Sequence, residues 1–100
     1  MKDKLLKIIE HYEITNQLKK LNEECYELIE AIRDYEEDLI RVDCDDYYTQ
    51  HFKKHIEEEF ADVMVLLGQI KYFYDLDDER IKKIMNEKID RQLDRIQKGI

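Results

Sequence analysis

Two short acidic clusters are the residues of this 100-residue chain best equipped for chemistry: Glu23, Glu24 and Glu27, and, 35 positions on, Glu58, Glu59 and Asp62. Both clusters keep one order of residue types: acid, acid, apolar, an aromatic or small residue, acid, apolar. On a helix, at about 100° per residue, Glu24 and Glu27 fall to one side of Leu21, and Glu59 and Asp62 take the same bearings from Ile56. The apolar positions repeat as well, Leu21, Cys25, Leu28 and Ile32 matching Ile56, Phe60, Val63 and Leu67. The spacing predicts two helices, each with a carboxylate pair at the border of its buried face. Packed antiparallel, they bring up to six carboxylates into one groove, where the charges repel and raise one another's pKa values. A hard divalent cation with oxygen ligands relieves that repulsion. Mg²⁺, with Mn²⁺ as a substitute, suits the site because it accepts carboxylates together with waters and substrate phosphates. The competing reading is a solvated helix face, on which Glu at these spacings is ordinary.

The opposite charge stands near the C-terminus, at Lys82, Lys83, Lys88, Arg91 and Arg95. Lys88, Arg91 and Arg95, at steps of three and four, share a helix face suited to phosphate oxygens. Basic residues also favour a helix C-terminus on electrostatic grounds alone, which suffices for Arg95 and Lys98. His51 and His55 have a spacing that can chelate zinc, but no HExxH motif or Glu-x-x-His pattern accompanies them. His11, His51 and His55 are read as surface or loop-border residues.

Seventeen basic residues against 25 acidic ones give a formal charge of -8. That field repels nucleic acid and anionic lipid, so an anionic ligand needs a metal or a local basic cluster. The longest apolar run, Val63 to Gly68, is far too short to span a bilayer, and the charged start does not read as a signal peptide. Cys25 and Cys44 form neither a CxxC pair nor a zinc spacing, and Cys25 reads as a buried thiol in a reduced, cytoplasmic protein.

With 43% apolar residues, no Pro and two Gly, the composition predicts an all-α protein. A short N-terminal helix carries Leu5, Leu6, Ile8, Ile9 and Tyr12. A break falls within Glu13–Asn16, with Thr15 or Asn16 as cap. The second helix follows Leu18, Leu21, Cys25, Leu28, Ile32, Tyr35 and Leu39. Between Ile40 and Gln50 the period is lost, and Val42–Asp46 is the expected loop, with Tyr47 and Tyr48 packing it down. The third helix follows Phe52, Ile56, Phe60, Val63, Leu67, Ile70 and Tyr74, with Gly68 inside it. Asp77 is the expected N-cap of a last helix through Ile81, Ile84, Met85, Ile89, Leu93 and Ile96, which Gly99 stops. The expected architecture is an antiparallel helical bundle in one domain over 1–100, three longer helices plus a short one. Its long apolar stripes lead us to expect completion by a homodimer or higher assembly.

With these residues the chain resembles the all-α nucleoside triphosphate pyrophosphohydrolases of the MazG-like superfamily over about residues 18–95. The resemblance rests on Glu23, Glu24 and Glu27, then Glu59 and Asp62 with Glu58 before them, and on Asn86, Lys88 and Arg91, with Arg95, in the last helix. Thirty-one residues separate Glu27 from Glu59, more than in typical members, and Gln92 stands where an Arg is often found. The resemblance implies Mg²⁺-dependent cleavage between the α and β phosphates of a nucleoside triphosphate, giving a nucleoside monophosphate and pyrophosphate. It implies Glu24, Glu27, Glu59 and Asp62 as metal ligands, and Glu23 or Glu58 as the group that orients or deprotonates water. Lys88 and Arg91, with Arg95, would hold phosphates, and Asn86 would bond sugar, base or phosphate. Tyr12, Tyr26, Tyr35 and Phe52 are the candidates for stacking on a base. Sites of this superfamily are often completed by a second subunit, which again implies a homodimer or homotetramer. Neither DNA, RNA nor membrane is an expected partner. The alternatives are a non-enzymatic helical regulatory or assembly protein and a phosphoribosyl-nucleotide pyrophosphohydrolase.

Overall fold

A computed structural model of the chain describes residues 1–41 and 46–99. It shows four helices, one short and three longer: α1 (Lys2–Tyr12), α2 (Ile14–Arg41), α3 (Asp46–Phe73) and α4 (Asp78–Lys98).

The break between α1 and α2 is a single residue. Glu13 takes φ 69° and ψ 145°, while its N–H still donates to Ile9 O at 2.9 Å. Thr15 and Asn16 therefore lie inside α2 rather than capping it. The Asn16 side-chain amide instead donates to Tyr12 O at 2.8 Å, closing the end of α1. The helices also run further into the expected 40–50 loop than the apolar period suggested. Residues 42–45 lie outside the described residues, but α2 reaches Arg41 and α3 begins at Asp46, so Tyr48 is helical. An aliphatic stripe ends where the packed core ends, and hydrogen bonding within a helix continues past that point.

α2 and α3 form the antiparallel hairpin on which the fold is built. Its register is fixed near one end by Gln17 Nε2 donating to Gln69 Oε1 at 2.8 Å, with both side chains buried. Towards the other end the rings of Tyr35 and Phe52 pack 6.1 Å apart. α1 lies mainly against α3 and adds Leu5 and Ile9 to a core of Ala31, Val63 and Leu66. Gly68 is a packing residue: a Cβ built there would stand 2.9 Å from Leu5 Cδ1.

The expected buried stripe is only partly buried. Val63 is in the core and Leu21, Leu28 and Ile56 are half-buried, but Ile32, Phe60 and Leu67 are exposed. Buried in their place are Ala31 and Leu66, themselves 35 residues apart. At about 100° per residue from Ala31, Glu24 lies within about 20° of the contact line and Glu27 about 40° to one side of it, whereas Cys25 and Ile32 fall about 100–120° to the other side and Ile29 points almost directly away. The repeat places Phe60, Met64 and Leu67 against Glu59 and Asp62 on α3 in the same way. In an antiparallel pair like flanks come to the same side, so Glu27 and Asp62 border one side of the hairpin and Cys25, Ile32, Phe60 and Leu67 the other.

α4 is set apart from this body. α3 ends with Asp75 at φ 52°, Asp75 N–H donating to Tyr72 O and Leu76 N–H to Lys71 O at 2.9 Å. That is a Schellman-type stop, with an Asp in the position glycine usually takes. As expected, Asp77 caps α4, its Oδ1 accepting from Arg80 N–H at 2.8 Å. Gly99, at φ 73°, closes the helix through Arg95 O and Ile96 O. No α4 residue is buried, and among the described residues its backbone makes no close approach to α1, α2 or α3. Among the described residues no helix is long and apolar enough to cross a membrane.

Candidate metal centre

The hairpin register that pairs Gln17 with Gln69 also sets Glu24 and Glu27 opposite Glu59 and Asp62. One carboxylate oxygen from each of Glu24, Glu27 and Glu59 lies within 4.8 Å of the others. Two of these acids are tucked into the helix contact. Glu24 Oε2 and Glu59 Oε2 are buried and have no hydrogen-bond partner. A buried anionic oxygen without a donor is costly, since it has lost water and gained nothing in exchange. Burial therefore raises the pKa of Glu24, and repulsion from Glu27, Asp62 and Glu59 raises it further. Glu59 is raised by the same causes, burial first and then Glu27 and Asp62, with His55 acting in the opposite sense.

The donor set suits a hard cation. It offers oxygen alone, from both helices of a hairpin whose register is held elsewhere, and two of its oxygens are orphaned. Mg²⁺ takes few protein carboxylates and keeps several waters, which matches a cluster open on its Glu27 side. Asp62 is exposed, and it reaches Glu24 and Glu59 through its charge.

The remaining expected site residues are distributed less evenly. Glu23 lines a shallow hollow with Asn22, Tyr26 and Glu27, while Glu58 is exposed on α3. Asn22 was not among the sequence candidates; its only signal is its place five residues before Glu27. Of the aromatic candidates, Tyr26 stands exposed at that hollow, Tyr12 is exposed on α1, and Tyr35 and Phe52 are half-buried against each other. Cys25 is a half-buried free thiol. His11, His51 and His55 are exposed.

Lys88, Arg91 and Arg95 do share one face of α4, and all three are exposed. Asn86 lies round the other side of that helix, in a polar hollow with Glu79, Lys82, Lys83, Glu87 and Asp90. Within one chain the structure does not bring these four residues to the carboxylates, because α4 stays clear of the hairpin.

Comparison with known proteins gives one family. The model of the MazG nucleotide pyrophosphohydrolase domain matches residues 12–95, which takes in both acidic clusters and the basic face of α4. No curated protein and no solved structure matches the chain.

Proposed function

The chain belongs to the MazG nucleotide pyrophosphohydrolase domain family, and from that premise we propose that it is a Mg²⁺-dependent nucleoside triphosphate pyrophosphohydrolase, one helical domain over residues 1–100 acting in the cytoplasm. The reaction is hydrolysis of the α–β phosphoanhydride to a nucleoside monophosphate and pyrophosphate. The observation that carries the reading is the pair of buried, unpartnered oxygens, Glu24 Oε2 and Glu59 Oε2, inside a three-carboxylate cluster.

In this reading Glu24, Glu27 and Glu59 hold the cation, with Asp62 beside them. A bound Mg²⁺ supplies charge neutralisation at phosphoryl oxygens and a lowered pKa for a bound water. Glu23 or Glu58 orients the attacking water and takes its proton. Glu23 lines the hollow it shares with Glu27. Lys88, Arg91 and Arg95 neutralise the β and γ phosphates, and Asn86 bonds another part of the nucleotide. Those four residues stand on a helix that does not approach the cluster of its own chain, so the reading includes a homo-oligomer, dimer or tetramer.

The test is a panel of standard and modified nucleotides with Mg²⁺, reading pyrophosphate against orthophosphate. We expect equal amounts of monophosphate and pyrophosphate. Glu59→Gln should lower turnover at least about a hundredfold with the helical circular dichroism unchanged. Orthophosphate as the first product, or full turnover in Glu59→Gln, overturns the reading. Cleavage confined to phosphoribosylated nucleotides would move the assignment to that substrate.

A further inference from the structure

We infer that Gln17 and Gln69 are positioning residues for the carboxylate centre, their buried side-chain hydrogen bond selecting the one α2–α3 register in which Glu24, Glu27 and Glu59 meet. What the register serves rests on the metal reading above; how it is selected rests on the two helices alone.

The first observation is two amides in an apolar core. Gln69 is 2% exposed and Gln17 4%, and they are the buried polar side chains among the described residues. Gln17 Nε2 donates to Gln69 Oε1 at 2.8 Å. Each amide carries two donors and an acceptor, so one mutual bond replaces only part of the hydrogen bonding that water gave. Apolar side chains of similar volume would fill the same space without that desolvation. Buried polar groups of this kind are best attested as register devices, because they are satisfied in one alignment and orphaned in the others.

The second observation is that apolar packing does not choose the alignment. Both helices repeat apolar residues at steps of three and four, so a slide of one turn, about 5.4 Å, sets apolar residues against apolar residues again. The Tyr35–Phe52 contact at 6.1 Å tolerates such adjustment, since rings pack over a range of about 4.5–7 Å. The carboxylate cluster does not tolerate it. Its three oxygens lie within 4.8 Å of one another, and a slide of one turn takes at least one of Glu24 and Glu27 out of reach of Glu59. The amide pair and the cluster share one alignment: Glu27 stands ten residues after Gln17, and Glu59 ten residues before Gln69. On antiparallel helices those equal steps, about 15 Å at 1.5 Å per residue, carry the pairing of the amides directly to the pairing of the acids. The hydrogen bond thus supplies, at one end of the hairpin, the selection that the repelling carboxylates cannot supply for themselves.

The test removes both amides together, as Gln17→Leu with Gln69→Leu. Urea unfolding of this double variant should have a midpoint at or above that of the wild type, because no polar group is left unpaired. Mn²⁺ binding, read by electron paramagnetic resonance, should weaken at least about tenfold. Register is read without metal from the distance between spin labels at Lys19→Cys and Lys54→Cys, both exposed, in a Cys25→Ser, Cys44→Ser background. Labelled chain is diluted into unlabelled chain, so that distances between copies do not contribute. The protein with both glutamines should give one narrow distance, and the double variant a distribution broadened or shifted by about 5 Å, one turn. Gln17→Met with Gln69→Met replaces the leucine pair if helical dichroism is lost. A narrow, unshifted distance in the double variant overturns the inference, as does a shifted distance with unchanged Mn²⁺ affinity. A wild type that binds no Mn²⁺ sinks the metal reading instead, and the label distance then still decides whether the amides select the register.

Discussion

The α1–α3 body and α4 are both amphipathic helix, and they are stabilised by different means. The body is held by contacts distant in sequence, Leu5 on Gly68 and the buried Gln17–Gln69 pair, around the buried Ile9, Ala31, Val63 and Leu66. α4 is held by its neighbours in sequence: the Asp77 cap, the Gly99 stop, and the Asp94–Lys98 pair at 3.0 Å. The exposed Asp94–Lys98 pair contributes at most a few tenths of a kcal/mol. The contrast teaches that an apolar stripe reports a need for burial without naming the surface that meets it. In α2 and α3 part of that surface lies in the same chain; on α4, among the described residues, no apolar side chain is buried and only Ile81 is half-buried.

The largest expected break of the comparison is in the cores. Leu66→Ala empties a buried site and should cost about 2–5 kcal/mol in urea unfolding. Ile84→Ala, at a position exposed in the single chain, should cost under about 0.5 kcal/mol when the protein is dilute. A cost for Ile84→Ala that grows with protein concentration sharpens the contrast, because it locates the missing surface in a second copy.

Next in size is a pH effect confined to the body. Burial and mutual repulsion raise Glu24 and Glu59 above their ordinary value of 4.5. The folded state then binds more protons than the unfolded chain over that window, so stability is lost as pH rises through the raised pKa values. Metal-free protein should show a melting temperature that declines as pH rises above about 4.5, where the ordinary carboxyl has already ionised. Saturating Mg²⁺ should flatten or reverse the decline, because a cation stabilises the ionised cluster. Glu59→Gln should reduce the slope without metal and the Mg²⁺ gain with it. A slope unaffected by both would detach the cluster from the stability of the hairpin.

The smallest effect belongs to α4. Asp77→Ala removes the side-chain acceptor for Arg80 N–H and should cost about 1 kcal/mol of helix stability. Hydrogen exchange should show that loss in the first turns of α4, with protection in the body unchanged for a single chain. Loss of protection in α2 and α3 as well would show that α4 is coupled to a hairpin.

Local patterns determined a good deal. The helices, their number and their order follow from the recurrence of apolar residues and the scarcity of Pro and Gly. Asp77 and Gly99 declare the ends of α4 because capping depends on one residue and its immediate neighbours. The two acidic clusters stand out because their order repeats 35 residues apart, and a repeat on two helices of one hairpin places like residues on like sides. Tertiary structure decided the rest. Periodicity defines a face only to within a turn's width, and which residues at its edge are covered depends on the partner's register. Hence Ala31 and Leu66 are buried where Ile32 and Leu67 are not, and two glutamines sit in the core. The convergence of Glu24, Glu27 and Glu59 has the same origin, since it requires α2 and α3 to stop sliding at one register. The separation of α4 from that cluster was equally illegible. A helix's own residues set its stripe, whereas the turn before it sets the direction in which the stripe points.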